Sequence, residues 1–392
     1  MTRNASISVA ASVAAASVVL GLVGCAEVDP HGDFGDSLGT LSAAVAAPPD
    51  CTHWGCGSNT ALINDHPVEA LDLKGEQKVG RFELVPHSLR VLGQPEEEDS
   101  YVLHYEDGEL VGTNEDGEVV VWGDELIGAS FKLLYHGESG TPEDGTIVIS
   151  KRAAVPLFIE FAPATPDEPP EYRYVLAYEF IHMSASTQAK PVCPSVRPWD
   201  AFHTYEGAPK HTWDHPKRGL QTESVLHPDQ AGQYAVLLVG ERYHADTAKV
   251  LDNHSWLTIA CSGTALSKMK LMGYDPTPRT AAHPSSTALE RQATLRMLTA
   301  RYCGHDKGLA HLSFTDLGVP LAWQNSAGWF ELSGHGAIEA MWDSQGPVCL
   351  DAPRLGLWTR EDVKDLCGYE IPTCEGMSLD QKHVVWASYH RL

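Results

Sequence analysis

Nineteen histidines among 392 residues make metal chemistry the first question. His211-Thr212-Trp213-Asp214-His215 sets two imidazoles four apart with a carboxylate between them, and His203 precedes them closely. Residues four apart share a helix face, and imidazoles with a carboxylate form a zinc-type ligand set. A metal-held water would then make the protein a hydrolase. Against this, Pro216 follows at once, the flanks read as loop, and no His-Glu-x-x-His occurs. His203, His211, Asp214 and His215 therefore stand as weak metal candidates, with a solvated loop as the plainer reading. No cofactor is expected. His305, Asp306 and His311 are weaker still, grouped at a turn beside Cys303.

Other chemistries find less support. A serine hydrolase needs a positioned serine, a base and an orienting acid. Gly-x-Ser-x-Gly is absent, and Ser333-Gly334-His335-Gly336 and Cys261-Ser262-Gly263 only echo it. No glycine-rich phosphate loop is present. Glu96-Glu97-Glu98-Asp99 lacks the alternating pattern of a calcium loop and reads as solvated. Trp199, Phe202, Tyr205 and Trp213 suit a glycan or peptide surface, although aromatic clusters more commonly bury one another. No catalytic residue is nominated. The net charge of −24 disfavours nucleic acid and anionic membrane faces as partners.

The cysteines point to an address. Arg3 is followed by an apolar, small-residue run from Ile7 to Val23 and then by Leu22-Val23-Gly24-Cys25, the pattern of a bacterial lipoprotein cleavage site. The run is short and serine-interrupted, below what spanning requires. Acyl chains on Cys25 would hold the protein to a membrane. Ala26-Glu27 lacks an aspartate after the cysteine, which favours the outer membrane. Of nine cysteines, Cys25 carries the lipid and eight are left: Cys51, Cys56, Cys193, Cys261, Cys303, Cys349, Cys367 and Cys374. An exported compartment lets these pair, which also argues against a cysteine nucleophile. Cys51 with Cys56 and Cys367 with Cys374 each close a short turn-rich loop. The Cys-x-x-Cys spacing of zinc sites is missing.

The elements that would position these residues read as α+β. Residues 26–50 are an aperiodic tether rich in Ala, Gly, Asp and Pro. From about Gly80 to Tyr178 alternation predicts strands, including 81–85 and 101–105. Asp-Gly pairs at 107–108, 116–117 and 144–145 mark hairpin turns. DGELVG, DGEVVV and GDELIG suggest short meander strands. Phe158–Phe161 and Tyr172–Ile181 read as strands paired across a proline-rich turn, and 183–232 as a long loop. Tyr234–Val239 and 255–261 are further strands. Ser262-Gly263-Thr264 can open a short helix, its hydroxyl side chains meeting the free N–H groups, and that helix ends at Gly273. Thr287 and Glu290 form a capping box for a second helix, closed by Gly304. Leu289, Ala293, Met297 and Ala300 make its apolar stripe, with Arg291, Arg296 and Arg301 off it. Val319–Trp323 is an edge segment and 336–344 a short helix. Thr359 caps a last helix that ends near Gly368, and 384–386 is a strand or a frayed end.

IACSGTALSKMKLMGYDPT and ERQATLRMLTARYCG resemble the ADYC domain of myxobacterial-type lipoproteins, a family without an assigned activity. The naming tetrapeptide stands here as Ala300-Arg301-Tyr302-Cys303, with Arg301 in place of the acidic residue. Pro191-Val192-Cys193, Val239-Gly240, Gly273-Tyr274 and Glu339-Ala340 through Cys349 match as well. The resemblance covers 255–305 well and 100–375 loosely. Relatives carry a further cysteine pair at the positions of Met269 and Thr294, which implies two packed helices. Extending the helical screw from Thr294 turns Cys303 away from the first helix. That implies Cys303 with Cys349 and Cys193 with Cys261, the crossed pairing being the alternative.

The expected order is a signal peptide (1–24), a tether (25–50), a β-rich region with a meander (51–185), a disulfide-stabilised α+β ADYC-like module with a two-helix pair (186–376) and a C-terminal tail (377–392). The expected function is a lipid-anchored envelope protein that binds or supports without catalysis, with a protein or glycan as ligand. A metal-assisted envelope hydrolase is the alternative.

Overall fold

A computed structural model describes residues 61–391 apart from 64–65, 69, 96–99, 138–139, 157–173, 185–186, 195–209, 216, 226–232, 245–248, 277–285, 304–320, 326–334, 355–358 and 382. In chain order the first strands are β1 (Leu62–Ile63), β2 (His66–Pro67), β3 (Ala70–Asp72), β4 (Phe82–Leu84), β5 (Val102–Glu106), β6 (Glu109–Thr113), β7 (Val119–Val121), β8 (Ser130–His136), β9 (Pro142–Pro156) and β10 (Tyr174–Ser184). Then come β11 (Thr187–Pro191), β12 (Lys210–His215), β13 (Gly219–Ser224), β14 (Tyr234–His244), β15 (Lys249–Cys261), α1 (Ala265–Leu271) and α2 (Ala288–Leu298). The chain finishes with β16 (Leu321–Asn325), β17 (His335–Asp343), β18 (Gly346–Leu350), α3 (Arg360–Cys367) and β19 (Trp386–Arg391). The architecture is strand-rich α+β.

An eight-stranded antiparallel sheet runs β3-β15-β14-β10-β9-β8-β4, with β11 on β10. It takes strands from both sides of the boundary expected at 185/186. Its two ends, β3 and β4, approach each other. Strand alternation gives this sheet two different faces. Ala235, Leu237, Leu257, Ile259 and Cys261 face one core, shared with Phe82, Phe131 and Phe180. Tyr234, Val236, Leu238 and Ala260 face a second core. There α1 lies on β14, and α2 lies on β15 on one side and on β17, β18 and β19 on the other. The helices are therefore sandwiched between the large sheet and a four-stranded sheet ordered β16-β19-β17-β18. That second sheet is also two-faced: Ala340, Trp342, Leu350 and Trp386 point to the helices, while Met341, Cys349 and Ala387 point outward.

The sandwich explains why the expected division of α2 into an apolar stripe and outward arginines holds only in part: Ala293, Met297 and Ala300 are buried as expected, but Arg291 and Arg296 are buried too. Leu289 is 62% exposed, whereas Arg291 and Arg296 are buried at 5% and 1%. A helix covered on two sides has no solvent face for its arginines, so they are buried with partners. Arg291 grips Glu241 of β14 through both carboxylate oxygens, and Arg296 donates to the Gln345 carbonyl. The capping boxes of Thr287–Glu290 and Thr359–Asp362 form as expected, and so does the Thr264 cap.

Other expectations are corrected. GDELIG is a 3-10 turn at Gly123–Leu126. Asp144-Gly145 lies inside β9, pairing with Leu134 and Leu133, because long strands on both sides continue through it. The helix expected at 336–344 is strand as far as Asp343: β17 needs its alternation to serve two faces, which a helix would not provide. Parts of 183–232 form β11 and the β12–β13 hairpin instead of loop. Of the strand or frayed end expected at 384–386, Trp386 opens the inner strand β19, which runs on to Arg391 through the expected tail. The strand expected at 158–161, the loop 96–99 and the helix stop at Gly304 lie outside the described residues.

Three cysteine pairs are at bonding distance: Cys193–Cys261, Cys303–Cys367 and Cys349–Cys374. The first is as expected; the other two replace the expected Cys303–Cys349 and Cys367–Cys374. Two physical reasons account for this. Ala300 adopts φ 49° just after α2, so the helical screw does not reach Cys303. Cys367 enters the helix-side core, while Cys374 enters the outer cluster with Cys349, so the two face opposite sides of the second sheet. Cys25, Cys51 and Cys56 lie outside the described residues.

Candidate functional site

The largest charged cluster is built on the Asp107-Gly108 turn. Both residues have positive φ, 52° and 94°, which suits a two-residue hairpin turn. The turn sets Glu106 opposite Glu109 across β5 and β6. Glu109 is 1% exposed. Its Oε2 accepts from Arg152 of β9 at 3.0 Å, and its Oε1 accepts from Arg218. Arg152 also pairs with Glu223, the one buried side chain of β13. Arg218 reaches Glu106 at 2.9 Å, and Lys217 reaches Glu106 at 2.5 Å. Beneath them the Tyr178 hydroxyl accepts from the Leu110 N–H at 2.9 Å. Burial, only partly offset by Arg152, pushes its pKa far up. Burial also raises the Glu223 carboxyl against the opposing pull of Arg152.

His215, the one described member of the expected metal set, sits in this cluster at 3% exposure. Its Nδ1 accepts the Lys217 N–H at 3.1 Å, which assigns the ring proton to Nε2. Nε2 faces Glu109 Oε1 at 3.5 Å. Both ring nitrogens are therefore engaged within the protein. Two guanidiniums balance two buried carboxylates, so the arrangement fastens the β12–β13 hairpin to β9 and the β5–β6 turn. His203 lies outside the described residues, as do the side chains of His211 and Asp214. Among the described residues no group of three or more His, Cys, Asp or Glu is placed to hold a metal ion. His305, Asp306, His311 and the aromatic set Trp199, Phe202, Tyr205 and Trp213 also fall outside what is described.

The second cluster lies where α2 ends. Ala300 turns left-handed, Tyr302 is 2% exposed and stacks on Trp342 at 5.6 Å, and Cys303 pairs with Cys367. The Tyr302 hydroxyl donates to Glu339 Oε1 and accepts from the Arg354 N–H at 3.1 Å. Arg354 Nε donates to the same Glu339 oxygen at 2.8 Å. Arg354 Nη2 donates at 2.6 Å to the Met297 carbonyl in the last turn of α2, which the Ala300 N–H also reaches. Glu339 is fully buried, so Arg354 and Glu339 form a closed ion pair that also caps α2. Burial, then Glu339, drives the Tyr302 pKa well above its ordinary value.

Sequence reasoning missed Glu109, Arg152, Glu223, Arg218 and Arg354. The Asp107-Gly108 turn was a usable signal for Glu109. The arginines carry none, because their partners are distant in sequence.

Among the described residues the fold is thus strand-rich α+β, with three cystine pairs and with charge-balanced ion pairs in its interior. Residues 204–356 match the family model of the ADYC domain. That span holds α1, α2, Tyr302, Glu339 and Arg354. No curated protein matches the chain. No solved structure matches it either.

Proposed function

We propose that the chain is a lipid-anchored protein of the bacterial cell envelope, sorted to the outer membrane. We infer that it acts as a non-catalytic binding or structural module whose ligand is a protein or a glycan. On this reading residues 1–24 are removed, Cys25 carries the acyl chains, 25–50 form a tether, and a β-rich part and a disulfide-stabilised α+β module follow.

The observation that carries the reading is the set of three cysteine pairs at bonding distance among the described residues. Such pairs persist in oxidising compartments and are rare in the cytosol. The Leu22-Val23-Gly24-Cys25 pattern supports the anchor. The buried charges support a scaffold role, since Glu109, His215 and Arg354 direct their hydrogen bonds to other parts of the chain.

The test is fractionation of cells expressing the full chain and its Cys25→Ser variant, with a labelled fatty acid in the medium. The full chain should take up label and sediment with outer membranes, and the variant should do neither. Equal behaviour of the two would overturn the anchor.

A further inference from the structure

The native cystines on the two faces of the second sheet are interleaved. In chain order the four cysteines are 303, 349, 367 and 374, and they pair first with third and second with fourth. We propose that this protein is a substrate of a thiol–disulfide isomerase, which in most chains must undo a Cys367–Cys374 bond before either native pair can form. The proposal rests on the reading that the chain folds in an oxidising compartment.

Loop closure sets the order of events in the unfolded chain. Cys367 and Cys374 are seven residues apart, whereas the native pairs span 64 and 25 residues. With closure probability falling as the three-halves power of loop length, the local pair forms about thirtyfold more readily than Cys303–Cys367. It forms about sevenfold more readily than Cys349–Cys374. One wrong bond blocks both right ones, because each native pair needs one of its two sulfurs. Folding does not relieve the block by itself. Cys367 must enter the core on one side of the sheet and Cys374 the cluster on the other, so the wrong bond forbids the native packing of α3 and β18. Export from the N-terminus adds little protection, since both cysteines emerge together near the end of the chain.

The chemistry is exchange followed by one oxidation. The isomerase thiolate attacks Cys374 Sγ, and Cys367 leaves as a thiolate. The Cys349 thiolate then attacks Cys374 Sγ in the mixed disulfide. The Cys349–Cys374 bond forms and the isomerase thiolate departs unchanged. Cys303 and Cys367 are still reduced at this point. A disulfide-bearing oxidant, such as an oxidase or oxidised glutathione, accepts their two electrons as the last bond closes.

The experiment is oxidative refolding of the full-length chain, first unfolded and reduced, in a glutathione buffer with and without a purified disulfide isomerase. Samples are quenched by alkylation and their disulfides mapped by mass spectrometry. A Cys367–Cys374 species should dominate early, and the isomerase should speed native pairing at least about tenfold. In the Cys349→Ala, Cys374→Ala double variant, Cys303–Cys367 should form at a rate the isomerase no longer changes. Mapping of early species is read before folding, so a variant that fails to fold still reports. Direct formation of both native pairs, with no Cys367–Cys374 species and no response to isomerase, would overturn the proposal. Free thiols in protein taken from cells, together with isomerase dependence in vitro, would sink the exported address and leave the exchange chemistry standing.

Discussion

The Tyr302–Glu339–Arg354 cluster and the Glu109–Arg152–Glu223 cluster are both buried and both charge-balanced, yet they differ in redundancy. At the end of α2, Arg354 has one carboxylate, Glu339, and each group is closed off from solvent. Under the β12–β13 hairpin, each arginine has more than one carboxylate: Glu109, Glu223 and, at 3.9 Å, Asp124 for Arg152, and Glu109 and Glu106 for Arg218. That second cluster also reaches the surface through Lys217 and Asp124. A lone buried pair fails as a unit when one partner is lost. A branched one has a substitute partner in place.

Four variants test this difference. Glu339→Ala strands the Arg354 guanidinium and should destabilise the fold by about 3–5 kcal/mol. Glu339→Leu combined with Arg354→Met removes both charges and should cost less than Glu339→Ala alone, as judged by denaturant midpoints. If the double variant is the worse of the two, helix capping and not charge pairing is what the cluster provides. Glu109→Ala should cost about 1.5–3 kcal/mol, because Arg152 keeps Glu223 and Arg218 keeps Glu106. A loss as large as that of Glu339→Ala would mean the redundancy is only apparent. Tyr302→Phe removes a hydroxyl while the ion pair stays, and about 0.5–1.5 kcal/mol is expected in the same measurement.

What could be read from sequence follows the range of the interaction. The caps at Thr264, Thr287 and Thr359 and the turns at Asp107-Gly108 and Asp116-Gly117 depend on residues a few positions apart, and they formed as expected. Asp144-Gly145 has the same local signature, but ten or more registered pairs with β10 override it and keep β9 continuous. The burial of Arg291 was invisible, since its partner Glu241 lies 50 residues away on β14. The tetrapeptide at 300–303 was legible as a family mark and not as a helix stop, because Ala300 gives no warning of its left-handed turn. Cys193–Cys261 paired as expected, but the other two described pairings failed for the same reason: seven residues of separation favoured Cys367–Cys374, and only the second sheet separates those two sulfurs.

The smallest effects concern single carboxyls, and they sharpen the contrast between interior and surface charge. Glu223 is buried beside Arg152, and burial outweighs the arginine, so its pKa lies above the ordinary glutamate value. Asp362 is exposed at the start of α3, where the Thr359 hydroxyl and N–H hold its pKa below the ordinary aspartate value. The signs of linkage are opposite. The folded state keeps the Glu223 proton more tightly than the unfolded chain, so this group favours the fold at low pH and loses that contribution as pH rises through its raised pKa. Asp362 favours the fold above the ordinary aspartate range and loses its contribution as pH falls through its lowered pKa. Carboxyl carbon shifts followed by NMR should therefore show Glu223 titrating late and Asp362 early, on either side of their unfolded references. If Glu223 instead titrates below the ordinary glutamate value, Arg152 has overcome burial. The hairpin cluster would then be governed by pairing, as the cluster at Glu339 is, and the distinction between the two would reduce to the number of partners.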